Sequence, residues 1–595
     1  MSSIESDLNN RRDSSTSIPK YYPTTNRSQS DHQNGMTPSS SPTDSHCAHP
    51  HPTEHTPLLD PDDPAVSPLN LQSVRILHAI LWLLLAASIL WFLTLLISFF
   101  LALVPTRDSG FVEFGLAGIT CLQLTLALLF FKTPAPADRT ANSIAAVAIA
   151  IALILALAVP GLRRNTHYTG TLALTWSLVC ALVAGVLTPY MVQWGKTHEE
   201  IRLTGRRETR RTVSEWFRVW FSVLLTSLLI VIPLILYTAT QLLDAHDALV
   251  LARDKSLGHY VSIYPKTTSS SALGSGYLHP VTKGSGFHYR VFVYCTPRQT
   301  ASDPSTAPPS VRPGPDGRPA PIVLVEAASS VSAQTQVQGW LDELYTQTKI
   351  SQVCYWNRPG RGYSDNAPSP FAPGMAADAL TAALAHVLRP TDVHSPDVPL
   401  GKNLTFAVVG HGLGGLYARA FAARNLQNIH SLTLLDAYPD TLLAHRLALP
   451  GAGLRAWLQG LWSTLGLRKQ ASWLLHARGA RDRVLGRAAH FTQPSELKAS
   501  LQEQLAAVGL SRSDLDAASR ILSGSNVPLA VLSSAQHIRE DDEWSNYQRS
   551  LTKVTANNVA WDILEAPHEL WLTPGAKSKM QRVLINLLED RSQTP

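Results

Sequence analysis

Residues 406–414 read FAVVGHGLG, an apolar run that breaks into alternating glycines just before a helical pattern begins. Glycines at 410, 412 and 414 permit a sharp reversal that side chains would strain. Strand-to-helix turns of this kind present a nucleophile, and acyl transfer needs more around it. A histidine must take the proton, a carboxylate must orient that histidine, and backbone N–H groups must hold the oxyanion. His568 stands in APHELW, directly after the apolar run 560–566, and is the candidate base. Asp436 closes SLTLLD and is expected at the same sheet edge, with Asp541 and Asp542 as alternative acids. Position 412, where the attacking side chain should stand, is glycine. His411 precedes it and is expected to point elsewhere.

These residues need a sheet to bring them together. From residue 250 onward, short apolar runs alternate with helical patterns, the signature of a mostly parallel α/β sheet. The expected strands are 289–295, 321–327, 351–356, 406–410, 431–436, 528–534 and 560–566. The Pro- and Gly-rich segment ASDPSTAPPSVRPGPDGRPA between the first two reads as a surface loop.

Four motifs in order carry a family resemblance. NRPGRGYSD (357–365), GHGLG (410–414), LLDAYPD (434–440) and APHELW (566–571) resemble the α/β-hydrolase superfamily across most of 280–590. The coupling to an apolar amino-terminal region resembles a fungal membrane-anchored branch. The resemblance implies an α/β-hydrolase-like sheet with a helical lid in the insert 437–526. It places the oxyanion donors on the backbones of Leu413 and Ala328. Where many members have His-Gly after the third strand, this chain has Glu326-Ala327-Ala328-Ser329-Ser330; Ser329 or Ser330 is an alternative nucleophile. Asn357 replaces the usual aspartate of the RPG loop. The family's strand order makes the strands of Cys295 and Cys354 neighbours, so a disulfide is expected if the domain is luminal. Asn403-Leu404-Thr405 is a glycosylation sequon in that same compartment.

The rest of the chain is of another kind. Apolar stretches of spanning length lie at 74–104, 111–131, 141–161, 169–192 and 215–243, and their clustering excludes buried helices of a soluble protein. Lys196, Arg202, Arg206, Arg207, Arg210 and Arg211 make the 193–213 loop cytosolic. Five spans then put the tail on the cytosolic side and residues after 244 on the luminal side. The span interiors show almost no ionisable residues, which favours anchoring over transport. The lid segment sets Trp457, Trp462 and Trp473 among Arg455, Arg468, Lys469, Arg478, Arg481, Arg483 and Arg487. That mixture suits a bilayer interface, or a lid packed on its own domain.

Residues 1–73 are too poor in large apolar residues to fold and are expected to be a disordered tail. Within it, HCAHPHPTEH reads as a solvated run, and EHTPLL (Glu54, Leu58, Leu59) resembles an acidic dileucine sorting signal. The net charge of +6 sits largely beside apolar spans, pointing to a membrane surface and away from nucleic acid. Five cysteines give no metal spacing, and no cofactor is expected. The domains are therefore 1–73, 74–243 and 250–595. The reading is an endomembrane protein, vacuolar or endosomal, whose hydrolase-like domain binds or regulates through a lipid-like or hydrophobic ligand. The alternatives are an esterase or lipase with a non-standard nucleophile, and a membrane carrier with an accessory domain.

Overall fold

A computed structural model describes residues 67–589, apart from 102, 105, 134, 206–212, 253–257, 265–287, 300–307, 314–317, 329–338, 389–399, 402 and 488. Glu54, Leu58, Leu59, the histidine-rich stretch, Ser329 and Ser330 lie outside the described residues.

Among the described residues, five helices are long and apolar enough to cross a bilayer. The first three are α1 (Gln72–Ser98), α2 (Phe111–Leu129) and α3 (Pro136–Ala158). The fourth joins α4 (Pro160–Leu182) to α5 (Thr188–Thr204), and the fifth joins α6 (Val213–Thr226) to α7 (Ile232–Val250). Each junction is a π-type turn, Val183–Leu187 and Ser227–Val231, ending just before a proline. Pro189 and Pro233 cannot donate to the preceding turn, and the helix widens there and continues. Small residues let the rods approach: Ala145, Ala152 and Ala156 of α3 pack with Leu174, Ala181 and Leu234.

The helices outrun the apolar stretches and take in ionisable residues near their ends. Because α3 starts at Pro136, Asp138 falls inside it, buried, with its carboxylate accepting from Ser222 at 2.8 Å. Glu113, Glu199 and Glu200 are buried as well. Gln123 donates to Asn142 at 2.8 Å, and Thr120 to Ser177 at 2.9 Å. α4 likewise begins well before Thr169 and kinks at His167, whose φ is 52°.

The globular half is built on an eight-stranded sheet in the order β1-β2-β4-β3-β5-β6-β7-β8. The strands are β1 (His259–Ile263), β2 (Tyr289–Cys295), β3 (Ile322–Glu326), β4 (Val353–Asn357), β5 (Phe406–His411), β6 (Ile429–Leu435), β7 (Pro528–Ser534) and β8 (Asn557–Leu564). β1 and β2 pair antiparallel, as do β2 and β4, and the remaining pairs are parallel. β1 has no counterpart among the expected strands; HYVSI is a half-exposed edge strand with too few apolar residues to announce itself. Alternation divides the core. Ile322 and Leu324 face a cluster with Leu380, Leu384, Leu416 and Phe421, while Val323 and Val325 face Leu344, Met580 and Leu584. This mostly parallel sheet with helices on both faces and a helical insert after β6 is the α/β-hydrolase architecture.

The insert does more than cover the sheet. Its helices α8 (Ala452–Ser463) and α9 (Leu467–Leu474) dock on the membrane bundle. Trp457 meets Phe99 and Phe114 edge-on at 6.2 and 5.5 Å, and Gly460 admits the Phe111 ring where any Cβ would overlap it. Thr240 of α7 donates to the Leu465 carbonyl at 3.1 Å. The basic residues divide accordingly. Lys469 and Arg483, expected among groups meeting phosphates, are instead buried and paired with Asp244 and Asp247 at the end of α7. Arg455, Arg468, Arg478, Arg481 and Arg487 remain exposed, as do Trp462 and Trp473.

Candidate active site

At the carboxyl edge of the sheet, β5 ends in a turn at Gly412, with φ +53°, and enters the helix Gly414–Arg424. The turn is pinned by Gly412 N–H to the Leu435 carbonyl at 3.1 Å, and by the Gly412 carbonyl accepting from Tyr438 N–H at 3.0 Å. A Cβ at Gly414 would overlap the carbonyls of Glu326 and Ala327, so the helix can start this close to β3 only with glycine there.

Asp436 follows β6 directly, held at φ +43°, a strained conformation for a residue with a side chain. Its fully buried carboxylate takes four donors. Oδ1 accepts from Trp544 Nε1 at 2.8 Å and Ser534 N at 3.0 Å. Oδ2 accepts from His568 Nδ1 at 2.6 Å and His537 Nδ1 at 2.8 Å. Burial pushes this carboxyl up, but the two imidazoles and the Ser534 N–H outweigh it and hold it well below the usual carboxylate range. With His568 Nδ1 held by the carboxylate, Nε2 is the ring nitrogen left for the cleft.

That Nε2 faces Gly412. A Cβ built at 412 would fall 2.9 Å from His568 Nε2 and 3.3 Å from the Ala328 Cβ. The imidazole thus sits inside the room a nucleophile's own carbon would need, and the turn offers no atom for covalent attack. Leu413, which opens the helix, and Ala328 flank the same point, where the resemblance places the oxyanion donors. Arg358 holds the Ala328 side of the site: its Nη1 donates to the Ala327 carbonyl at 2.8 Å, and its guanidinium lies 4.1 Å from the Tyr417 ring. Nearby, burial pushes the Glu326 carboxyl up to about 7, against the pull of Arg358 and of the Trp356 N–H.

The sequence reading did not single out His537 or Trp544. His537 lies in the helix Ala535–Glu540 that follows β7, and the signal available was its position just past a strand beside β6. The alternative acids are not at the site; Asp541 accepts from the Glu543 N–H at 3.1 Å, and Asp542 is exposed. His411, expected to point away from the attacking position, packs beside the base. It turns under the base, its ring 4.4 Å from that of His568, and its Nε2–H donates to the His568 carbonyl at 3.0 Å. Burial first, and the His568 charge second, push its pKa down to about 3. It is therefore neutral, and it positions the loop carrying the base. Asp436, His537 and His568 bring three ligand-type atoms within 4.8 Å of one another. They are the described residues that could hold a metal, and hydrogen bonds among them account for all three atoms without one.

Away from the cleft, Cys295 and Cys354 lie opposite one another across β2 and β4 and are joined by a disulfide, Cα–Cα 4.1 Å. Asn403 is exposed in a turn before β5.

The chain is similar to several known proteins. Residues 32–269 match a family model described as a region of unknown function. The chain is 26% identical over 417 residues to a Saccharomyces cerevisiae "uncharacterized vacuolar membrane protein", covering 64% of this chain and 59% of that one. It is 24% identical over 508 residues to an uncharacterized protein of Schizosaccharomyces pombe, covering 82% and 86%. Among solved structures it is similar to an enol-lactonase from Burkholderia xenovorans, with TM-score 0.34, 15% identity, and 51% and 97% of the two chains covered. A thermophilic esterase from Thermogutta terrifontis gives TM-score 0.32 and 15% identity, over 55% and 99%. By its own sheet order, lid position and apolar helices, this chain is a multi-span membrane protein carrying a domain of the α/β-hydrolase fold.

Proposed function

We propose that the hydrolase-fold domain is a non-covalent binding or regulatory module for a lipid-like ligand, held at an endomembrane by its helices. One observation carries this reading: position 412 has no side chain to attack with, and His568 lies so close that a Cβ there would fall 2.9 Å from its Nε2. The surroundings suit an apolar guest, since the rings of Tyr438 and His411 flank the imidazole and Trp571 packs on His411. The vacuolar location in the name of the Saccharomyces cerevisiae relative supports an endomembrane site. The basic 193–213 loop, the Cys295–Cys354 bond and the sequon at Asn403 support a luminal domain. Glycosidase sensitivity lost in Asn403→Gln tests that side.

The intact His568–Asp436 pair, 2.6 Å apart, is what favours the hydrolytic alternative, with Ser329 or Ser330 attacking. A fluorophosphonate probe on the purified full-length chain separates the two. The binding reading expects no labelled residue, and lipid retained through purification. Labelling of any serine in the domain that is abolished in His568→Ala would overturn it.

A further inference from the structure

Where the membrane helices meet the globular half, a cavity of about 550 Å³ opens. That is the size of many small-molecule sites. Its walls come from the ends of α2, α4 and α7, from Arg290 of β2, from the loop 362–365 and from lid residues 492–496. Gly412, His568 and Asp436 are not among them, so this site stands apart from the cleft discussed above.

Most of the charge lining it is spent internally. Arg290 grips Asp365 twice at 2.8 Å, Lys469 and Arg483 take Asp244 and Asp247, and Glu496 takes Arg361 at 2.6 Å. Four charged groups of the lining, Arg107, Asp108, Glu113 and the exposed Arg164, form no ion pair among the described residues. Glu113, in the first turn of α2, is 3% exposed, and its Oε2 has no hydrogen-bond partner. Its other oxygen lies against α4, where a Cβ on Gly170 would fall 3.2 Å from it, so glycine leaves the carboxylate its room. Opposite in sign, Arg107 gives one Nη2–H to His288 at 2.5 Å while its buried Nε–H has no partner. Asp108 lines the same wall, and burial pushes its carboxyl up to about 6. Lys498 hydrogen-bonds Thr106 at 3.4 Å and forms no ion pair with either acid among the described residues.

An unmatched buried carboxylate and an unmatched guanidinium N–H are each costly, and a single guest bearing both signs satisfies them together. The walls lie at the ends of spans, the depth of the phospholipid headgroup layer, and Val112, Leu174 and Tyr237 continue the lining downward with apolar and aromatic surface. We propose that this cavity binds an ammonium–phosphodiester zwitterion, the headgroup of an amino-phospholipid. The ammonium lies against Glu113 and Asp108, the phosphodiester against Arg107, and the acyl chains leave between the spans.

The test uses the full-length protein in detergent, titrated with phosphatidylethanolamine, phosphatidylglycerol, diacylglycerol or soluble glycerophosphoethanolamine, and read by thermal shift and native mass spectrometry. Phosphatidylethanolamine should bind and diacylglycerol should not. Glu113→Gln should weaken phosphatidylethanolamine at least about ten-fold, the worth of one charge-assisted hydrogen bond, while leaving phosphatidylglycerol within about two-fold. Arg107→Gln should weaken both. Binding of the lipid alone identifies the membrane as the source, and equal binding of the soluble compound identifies the free headgroup; either keeps the site. Equal phosphatidylethanolamine affinity in native, Glu113→Gln and Arg107→Gln proteins would refute it. Should a variant elute aggregated, the ranking on native protein decides, and diacylglycerol binding as tightly as phosphatidylethanolamine refutes the proposal.

Discussion

Adding a side chain at position 412 probes the turn directly. Gly412 has φ +53°, and placing an L-residue in that region costs roughly 1–2 kcal/mol by itself. The new Cβ would also meet His568 Nε2 at 2.9 Å and Cε1 at 3.2 Å. That ring end can retreat by a few tenths of an ångström, but only by stretching its 2.6 Å bond to Asp436. Together these give a loss of about 1–3 kcal/mol for Gly412→Ala and Gly412→Ser alike. The two variants differ by one oxygen, and that oxygen would lie within reach of the base. Both should unfold at lower denaturant concentration than the native chain, whereas Gly412→Ser alone should react with a fluorophosphonate, and His568→Ala should abolish that reaction. If Gly412→Ala matches native stability to within about 0.5 kcal/mol, the backbone at 412 is not in the conformation that the reasoning requires.

Three further outcomes follow from the same geometry. In the Gly412→Ser background, Asp436→Asn should slow labelling by at least about a hundred-fold, because the amide cannot stabilise the imidazolium as the carboxylate does; an unchanged rate would remove the dyad from the account. His411 has a folded pKa of about 3 against about 6.5 unfolded, so the unfolded chain alone binds that proton in between. Stability is lost as pH falls below about 6.5, by about 2 kcal/mol at pH 5, and His411→Gln should lack that loss. Glu326, at about 7, works oppositely over the same range, so the measurement is the native-minus-variant difference in unfolding free energy between pH 7.5 and pH 5. Trp457→Ala should cost about 2–4 kcal/mol and release the lid from Phe99 and Phe114, read as faster proteolysis within 452–475.

Much of the sheet was legible because its strands are buried on both faces. VVGH in β5 and LTLL in β6 are continuous apolar or small runs that no surface element would carry. Asp436 was readable because it follows such a run, and His568 because it follows the apolar stretch of the half-exposed edge strand β8 at the same sheet edge. What escaped the reading depends on contacts between elements distant in sequence. His537 joins the dyad only because β7 lies beside β6, and no local pattern separates it from a surface histidine. Where His411 points is another such case, since its partner, the His568 carbonyl, lies 157 residues further along the chain.

The lid shows the same limit with larger consequences. Basic residues interleaved with tryptophan read as one membrane-facing surface, but their spacing cannot say which of them have carboxylates waiting across the interface. Asp244 and Asp247 lie one turn apart at the end of α7, and they take Lys469 and Arg483 out of that surface entirely. Two buried ion pairs in one interface are costly to separate, since each charge would lose its partner without regaining full hydration. The lid is thereby fixed to the bundle on one side, while Arg361 reaches from the 357–365 loop to Glu496 and Glu503 on the other. If these contacts couple the two halves, a ligand that alters the packing of the spans should be felt at the Ala327 carbonyl held by Arg358 beside Gly412. Trp457→Ala, at a residue outside the cavity wall that joins the lid to Phe99 and Phe114, should cut this link. In that variant, phosphatidylethanolamine should still bind but no longer change hydrogen-exchange protection at residues 326–328, whereas in the native chain it should; identical protection changes in both would show that the two halves are not coupled through the lid.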